Sequence, residues 1–200
     1  MFGTKFLSNL NESNMKKLIF SGVALVMAGS MMAQSNQLSL GLDLAIPLGD
    51  FGDAYSLGIG PAVGFELPVG DKLGITAQVS YQILMVDSDL SDFIKSASMV
   101  PIQAGLKYYF MDQQEGFYGH GMVGVHMQSV TTEDFSFFGI TVPGETTSST
   151  NLSWGIGVGY QLEKLDIGLR FNSIMPDSDA PDGVNPSNYI GLRVGYILSL

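Results

Sequence analysis

The sequence predicts an all-β chain, and three observations carry that reading. Apolar and polar residues alternate with period two in eight separate runs, while helical periodicity is almost absent. Gly supplies 25 of the 200 residues, so the apolar content of 46% comes in short, punctuated pieces. The connections between the runs alternate between short and long.

The first run covers about 38–46, with Leu38, Leu40, Leu42, Leu44 and Ile46 on one face. The second covers 57–67, with Leu57, Ile59, Val63, Phe65 and Leu67. The third covers 73–86 (Leu73, Ile75, Ala77, Val79, Tyr81, Ile83, Met85) and the fourth 98–110 (Val100, Ile102, Ala104, Leu106, Tyr108, Phe110). The fifth covers 117–130 (Phe117, Val123, Val125, Met127) and the sixth 151–162 (Leu152, Trp154, Ile156, Val158, Tyr160, Leu162). The seventh covers 164–175 (Leu165, Ile167, Leu169, Phe171) and the eighth 188–200 (Ile190, Leu192, Val194, Tyr196, Leu198, Leu200). The opposite faces are Gly, small and polar. Connections at 68–72, 111–116 and 162–164 are short turns; those at 47–56, 87–97, 131–150 and 176–187 are long. Within 131–150, Phe135 to Val142 suits a small hairpin. Most runs exceed the ~9–11 residues that cross a bilayer as a tilted strand.

The N-terminus carries an export leader. Met15-Lys16-Lys17 is a basic start, Leu18 to Ala28 an apolar stretch of eleven, and Ala33 the expected cleavage point. Met15 is the expected initiator, with 1–14 an upstream extension. The expected domains are a signal peptide over 1–33 and a barrel over 34–200. The mature chain then has 6 basic and 18 acidic residues, net −12. That balance excludes a nucleic-acid partner, whose phosphates need Lys and Arg. The chain has no Cys. Disulfides, thiolate zinc sites, Fe–S clusters, a cysteine nucleophile and a lipoprotein anchor are thereby excluded.

Two counts decide which face points out. A closed eight-stranded barrel holds little more than filling side chains, and roughly forty large apolar groups do not fit inside it. The other face carries only six charges, Asp43, Glu66, Lys107, Asp166, Arg170 and Arg193, too few for a wall in water. With the apolar face toward lipid, three acids and three bases lie inside, where burial costs less if they pair. Gln78, Gln82, Gln103, His120, His126 and Asn172 extend them into a hydrogen-bonded plug. Phe65, Tyr108, Phe110, Phe117, Tyr160 and Tyr196 fall near the short turns, and Trp154 and Phe171 nearer the other end, as aromatic belts do. Pro61 and Pro101 lie within strands and call either for local bulges or for different strand limits there. The expected fold class is therefore an eight-stranded antiparallel up-and-down transmembrane β-barrel.

The terminal Arg193-Val194-Gly195-Tyr196-Ile197-Leu198-Ser199-Leu200 resembles the insertion signal of outer-membrane proteins, without its terminal Phe. With the leader and eight runs, the chain resembles the small outer-membrane β-barrel families, the OmpA/OmpX-type and PorT-like groups. The resemblance implies the cell outer membrane, outer-membrane lipid around a monomeric barrel, and recognition by the assembly machinery through Arg193, Gly195, Leu198 and Leu200. It brings no catalytic motif, and no peptidoglycan-binding domain is expected.

Candidate chemistry is sparse. His126 and Ser129, three apart on a strand, lie on opposite faces and form no nucleophile–base pair. His120 and His126 share a face but stand roughly 20 Å apart at ~3.3 Å per residue. Asp43, Glu66 and Asp166 offer an acid–base pair on paper; a structural network is the better reading. Asp87-Ser88-Asp89-Leu90-Ser91-Asp92 and Asp177-Ser178-Asp179-Ala180-Pro181-Asp182 repeat D-S-D-x-x-D without EF-hand spacing. Gly155-Ile156-Gly157-Val158-Gly159 lies inside a strand, where no phosphate loop forms. No catalytic residue, cofactor or metal is expected. The function expected is a structural or surface-interaction role with a filled lumen. The alternatives are a barrel enzyme acting on lipid or peptide, and a periplasmic lipocalin-like carrier.

Overall fold

The structure, a computed structural model, describes residues 36–111, 114–137, 140–177 and 183–200. The expected leader, with its expected cleavage point at Ala33, lies outside the described residues, as do residues 178–182 of the second D-S-D-x-x-D repeat.

The chain order is β1 (Gln37–Leu48), α1 (Asp50–Ala54), β2 (Tyr55–Pro68), β3 (Leu73–Ser80), β4 (Gln82–Val86), β5 (Ile94–Tyr109) and β6 (Gly116–Thr132). Then come β7 (Phe135–Phe137), β8 (Ile140–Val142), β9 (Thr146–Gln161), β10 (Leu165–Ile174) and β11 (Ser187–Ser199). Each strand pairs antiparallel with its neighbours, and β1 pairs with both β2 and β11, which closes the sheet on itself. β3 and β4 follow one path between β2 and β5, so the described residues form an eight-staved barrel. β7 and β8 make the separate hairpin expected between Phe135 and Val142.

The exposed faces settle the polarity of the wall. Leu42, Ile83, Val123 and Ile156 are 55%, 56%, 66% and 59% exposed, while Asp43, Glu66, Lys107, Asp166, Arg170 and Arg193 are all buried. Large apolar groups thus cover the outside and charges fill the inside, the reverse of a lipocalin-like barrel. Outward aromatics group at the two expected heights. Phe117 packs on Tyr160 (ring centroids 4.7 Å) and Tyr108 on Phe110 (5.8 Å) near the short turns, and Trp154 on Phe171 (5.9 Å) nearer the long loops.

Of the two expectations for the prolines, the structure has different strand limits and no bulge. Neither needs a bulge, because the register runs unchanged past both. Ala62↔Ser80 and Ile59↔Ile83 flank Pro61, and Val79↔Ile102 and Gln82↔Met99 flank Pro101. The Tyr81 N–H donates to the Pro61 carbonyl at 3.0 Å, but Pro61 has no N–H to return. The third stave therefore breaks into β3 and β4 at Tyr81. Register shifts occur elsewhere, at Tyr55/Leu57 and Ile94/Ser96, both near the long loops.

Gly155, Gly157 and Gly159 on β9 form a bare inner stripe. A Cβ at Gly155 would meet Asn172 Oδ1 at 2.6 Å, one at Gly157 Arg170 Cγ at 2.8 Å, and one at Gly159 the Tyr118 ring. The stripe is the seat of three large inward side chains. That is why this stave reads Gly at alternate positions.

Closure rests on β11, whose Leu198 and Ser199 pair with Leu38 and Gln37, and whose Leu200 N–H donates to Asn36 O (2.8 Å). Deleting Leu198–Leu200 opens this seam, and unpaired backbone groups in hydrocarbon cost several kcal/mol each. The expected result is aggregated or degraded chain rather than a mildly destabilised barrel, with Ser199→Ala nearly silent. The mobility difference between boiled and unboiled samples checks it; folded truncated protein in the outer membrane would contradict the seam.

Candidate functional site

The lumen is built in layers. Nearest the short turns stands Lys107, 3.0 Å from Glu66 Oε2 and 3.0 Å from Asp166 Oδ2, and donating to Gln161 Oε1 at 3.2 Å. All three ammonium protons therefore have partners, and the ammonium lies 4.3 Å from the Tyr118 ring centroid. Tyr109 donates to Glu66 Oε1 (2.7 Å), and Tyr118 to Asp166 Oδ1 (2.7 Å). Gln161 Nε2 reaches Gln37 Oε1 across the closing seam (2.9 Å).

The middle layer has the opposite charge. Arg170 pairs with Asp43 Oδ2 at 3.0 Å, and Arg193, directly across the β1–β11 pair, sits 3.7 Å from Asp43 Oδ1. Gln78 Oε1 accepts from Arg170 (2.6 Å) and Arg193 (3.2 Å), and Ser39 Oγ accepts from Arg193 (3.2 Å). Gln78 continues to Gln103 (3.1 Å), which donates to Asn172 Oδ1 (3.3 Å). Two acids with one base, then one acid with two bases, leave the lumen formally neutral. The expected plug is present, with each predicted charge in it.

The sequence did not single out four further parts. Tyr109 and Tyr118 are buried inside and bond both acids of the first layer. Their inward parity was readable, since each precedes or follows an outward aromatic. Gln114 adopts φ 56°, is buried, and its amide donates to the carbonyls of Gly70 (3.1 Å) and Leu73 (3.0 Å), pinning two short turns together. Toward the long loops the plug turns apolar. Phe51, Tyr55, Leu84, Met99, Ile174 and Tyr189 form a buried cap, with Phe51 delivered by α1. His126 lies fully buried beneath this cap and meets the Tyr189 hydroxyl at 2.8 Å.

The remaining candidates fall apart geometrically. Ser129 faces away from His126 and bonds Ser148 (2.6 Å). His120 bonds Thr76 (2.8 Å) in a different layer from His126. Glu66 and Asp166 share Lys107, while Asp43 belongs to the arginine layer. In the first D-S-D-x-x-D loop, Asp87 accepts from the Asp89 N–H (3.2 Å) and the Ser88 hydroxyl (3.3 Å), a local turn. The space enclosed by Glu66, Gln78, Lys107, Asp166 and Arg170 in the lower lumen is about 30 Å³, room for about one water.

A closed barrel with an apolar exterior and a neutral, packed polar interior defines a small transmembrane β-barrel of the outer membrane. The chain belongs to the family described as outer membrane protein beta-barrel domain, whose model matches residues 21–197. Comparison with curated protein sequences gives no match. Among solved structures the fold is similar to Ail, the attachment invasion locus protein of Yersinia pestis (TM-score 0.56, 16% identity, 84% of this chain and 100% of that one). It is similar to the N-terminal β-barrel domain of Pseudomonas aeruginosa OprF (0.56, 14%, 82% and 99%) and to Neisserial surface protein A (0.52, 16%, 82% and 97%). At these identities the likeness is one of fold.

Lys107→Met strands Glu66 and Asp166 in the lumen. Breaking a buried ion pair by removing one partner costs about 3–5 kcal/mol. Urea unfolding of the barrel in lipid vesicles should show that loss. Adding Glu66→Gln and Asp166→Asn should restore most of it. A single variant as stable as the original chain would mean that these charges do not depend on one another.

Proposed function

We propose that the protein is a monomeric outer-membrane barrel with a structural or surface-interaction role, closed to solutes and without catalysis, whose long loops face the exterior. The observation that carries this reading is the lumen. Its charges are spent on each other, its lower interior has room for about one water, and an apolar cap closes it above. A barrel so filled offers no path for solutes. Its inward polar groups, tied into structure, are poorly placed to attack a substrate. Activity is then left to the wall and the loops.

The loops are strongly acidic. Eleven carboxylates lie in the four long connections against Lys95 alone. This favours neutral or cationic partners over polyanions. The terminal segment with Arg193, Gly195, Leu198 and Leu200 is the part we assign to recognition by the assembly machinery. Arg193 would then serve twice, as signal and as a partner of Asp43.

Orientation is tested by single cysteines at Ser91 and Glu115, both exposed, with an impermeant reagent on intact cells. Labelling is expected at Ser91→Cys and not at Glu115→Cys; the reverse would invert the reading. Gln114 is unsuitable as the reporter because it is buried and holds two turns.

Closure is tested by conductance. In planar bilayers the purified barrel should show no large, steady channel, since eight strands leave width only for filling side chains. A stable wide pore would overturn the proposed role.

A further inference from the structure

Above the cap the inner face changes character. β6 and β9 run on together as far as Thr132 and Thr146. On their inner face Gln128 stands opposite Ser149, and Val130 opposite Thr147. With Ser187 at the start of β11, and with Phe51 and Tyr55 below, these residues line a cavity of about 260 Å³. Thr147 and Ser149 are exposed at its mouth, and Phe51 and Tyr55 are buried at its floor.

The polar groups of this cup are unspent. On the outer face of the same two strands the hydroxyls pair with each other, Ser129 with Ser148 at 2.6 Å and Thr131 with Thr146 at 2.9 Å. Among the described residues, the side chains of Gln128, Thr147, Ser149 and Ser187 have no hydrogen-bond partner. One row of hydroxyls is satisfied within the protein; the other points into a cavity.

We propose that this cup binds a neutral saccharide unit. Its walls offer hydroxyl and amide groups that both donate and accept, as ring hydroxyls require. Its floor carries two aromatic rings, Phe51 and Tyr55, packed edge to face at 5.3 Å, against which the C–H face of a sugar ring can lie. The volume lies just below the usual ~300–1,000 Å³ of small-molecule pockets, which suits one or two sugar rings. Charge selects against acidic sugars. None of the lining residues is charged, and α1, which supplies Phe51, carries Asp50 and Asp53 beside it. A sulfated or uronic sugar would find no cation among the lining residues to offset its charge. An alkyl chain would cover the wall hydroxyls and strand them from water.

Access from outside the cell rests on the orientation proposed above, whereas the chemistry of the cup does not. The test uses the full barrel in phosphatidylcholine nanodiscs, which expose both ends, with no sugar-headed detergent present. Failure to bind sugar therefore leaves the orientation standing, and inverted labelling on cells leaves a sugar result standing. Maltose, lactose and diacetylchitobiose serve as neutral probes, sucrose octasulfate as the polyanion and octanol as the apolar probe. Binding is followed by saturation-transfer NMR and titration.

At least one neutral disaccharide should bind saturably. The pair Thr147→Val with Ser149→Ala should weaken it about tenfold, the size of one or two lost hydrogen bonds. The outer-face pair Ser129→Ala with Ser148→Ala should leave it unchanged. Saturable binding of none of the neutral sugars, tighter binding of the polyanion or of octanol, or equal loss in both variants would overturn the proposal. If the inner-face variant does not fold, the probe series on the unaltered chain still decides it.

Discussion

Everything in this molecule follows from one requirement: within hydrocarbon, each backbone N–H and C=O must find a partner in the chain itself. An open sheet fails that requirement along both edges. The β1–β11 seam, twelve paired positions from Gln37↔Ser199 to Leu48↔Asn188, removes the last two edges. Closing eight staves fixes a narrow interior, and a narrow interior must be filled by side chains. The filling cannot be uniformly large. The β9 glycines are bare because Asn172, Arg170 and Tyr118 already occupy the space beside them. Even the broken third stave obeys the same accounting. Pro61 removes one donor from the ladder, and the break is confined to Tyr81 while the register is kept.

Filling a lumen with ions is costly unless the ions satisfy one another. The two layers meet that condition in different ways. Lys107 is surrounded by acceptors and an aromatic face, so a single cation offsets two carboxylates. In the arginine layer one carboxylate serves two guanidinium groups, and Gln78 supplies the missing acceptor. The contacts cross the barrel as well as running around it. Arg170 on β10 meets Gln78 on β3, and Lys107 on β5 meets Asp166 on β10. Such contacts tie opposite walls together, which backbone pairing between neighbours does not do. The Asp43–Arg193 pair adds a side-chain contact to the seam itself.

The sequence revealed the wall because lipid imposes a contrast. Inside the bilayer one face of a strand is apolar and the other polar, so Leu38 to Ile46 or Leu73 to Met85 are legible by alternation alone. The same contrast located all six lumen charges and, by parity, could have located Tyr109 and Tyr118. It vanishes above the bilayer, where both faces of a strand meet water. Thr146-Thr147-Ser148-Ser149-Thr150 carries no alternation, and this is why 131–150 read as one long loop although β6 and β9 enter it from both sides. The apolar cap was hidden for a different reason. Phe51 sits between Gly49 and Gly52 in a stretch with two aspartates, which reads as a solvent-facing turn; only the single helical turn of α1 carries its ring inward.

The same contrast explains where binding chemistry can survive. In the lower lumen a polar side chain left without a partner is penalised, and most of those groups are tied into the plug, with Arg170 Nε and Asn172 Nδ2 among the buried atoms left over. Lys107, Gln161 and Gln78 are examples: each is bonded to two or more neighbours, and freeing any of them would expose another. The cap marks the height at which that penalty ends. Above it, water can satisfy Gln128, Thr147, Ser149 and Ser187 when nothing else does, and a ligand needs only to replace water there. A small barrel under these constraints can therefore change what it recognises by altering the strand ends and loops, while the wall and plug stay fixed. The cup at the loop end lies where such variation is cheapest, because its walls belong to strands already paired and its floor is already packed.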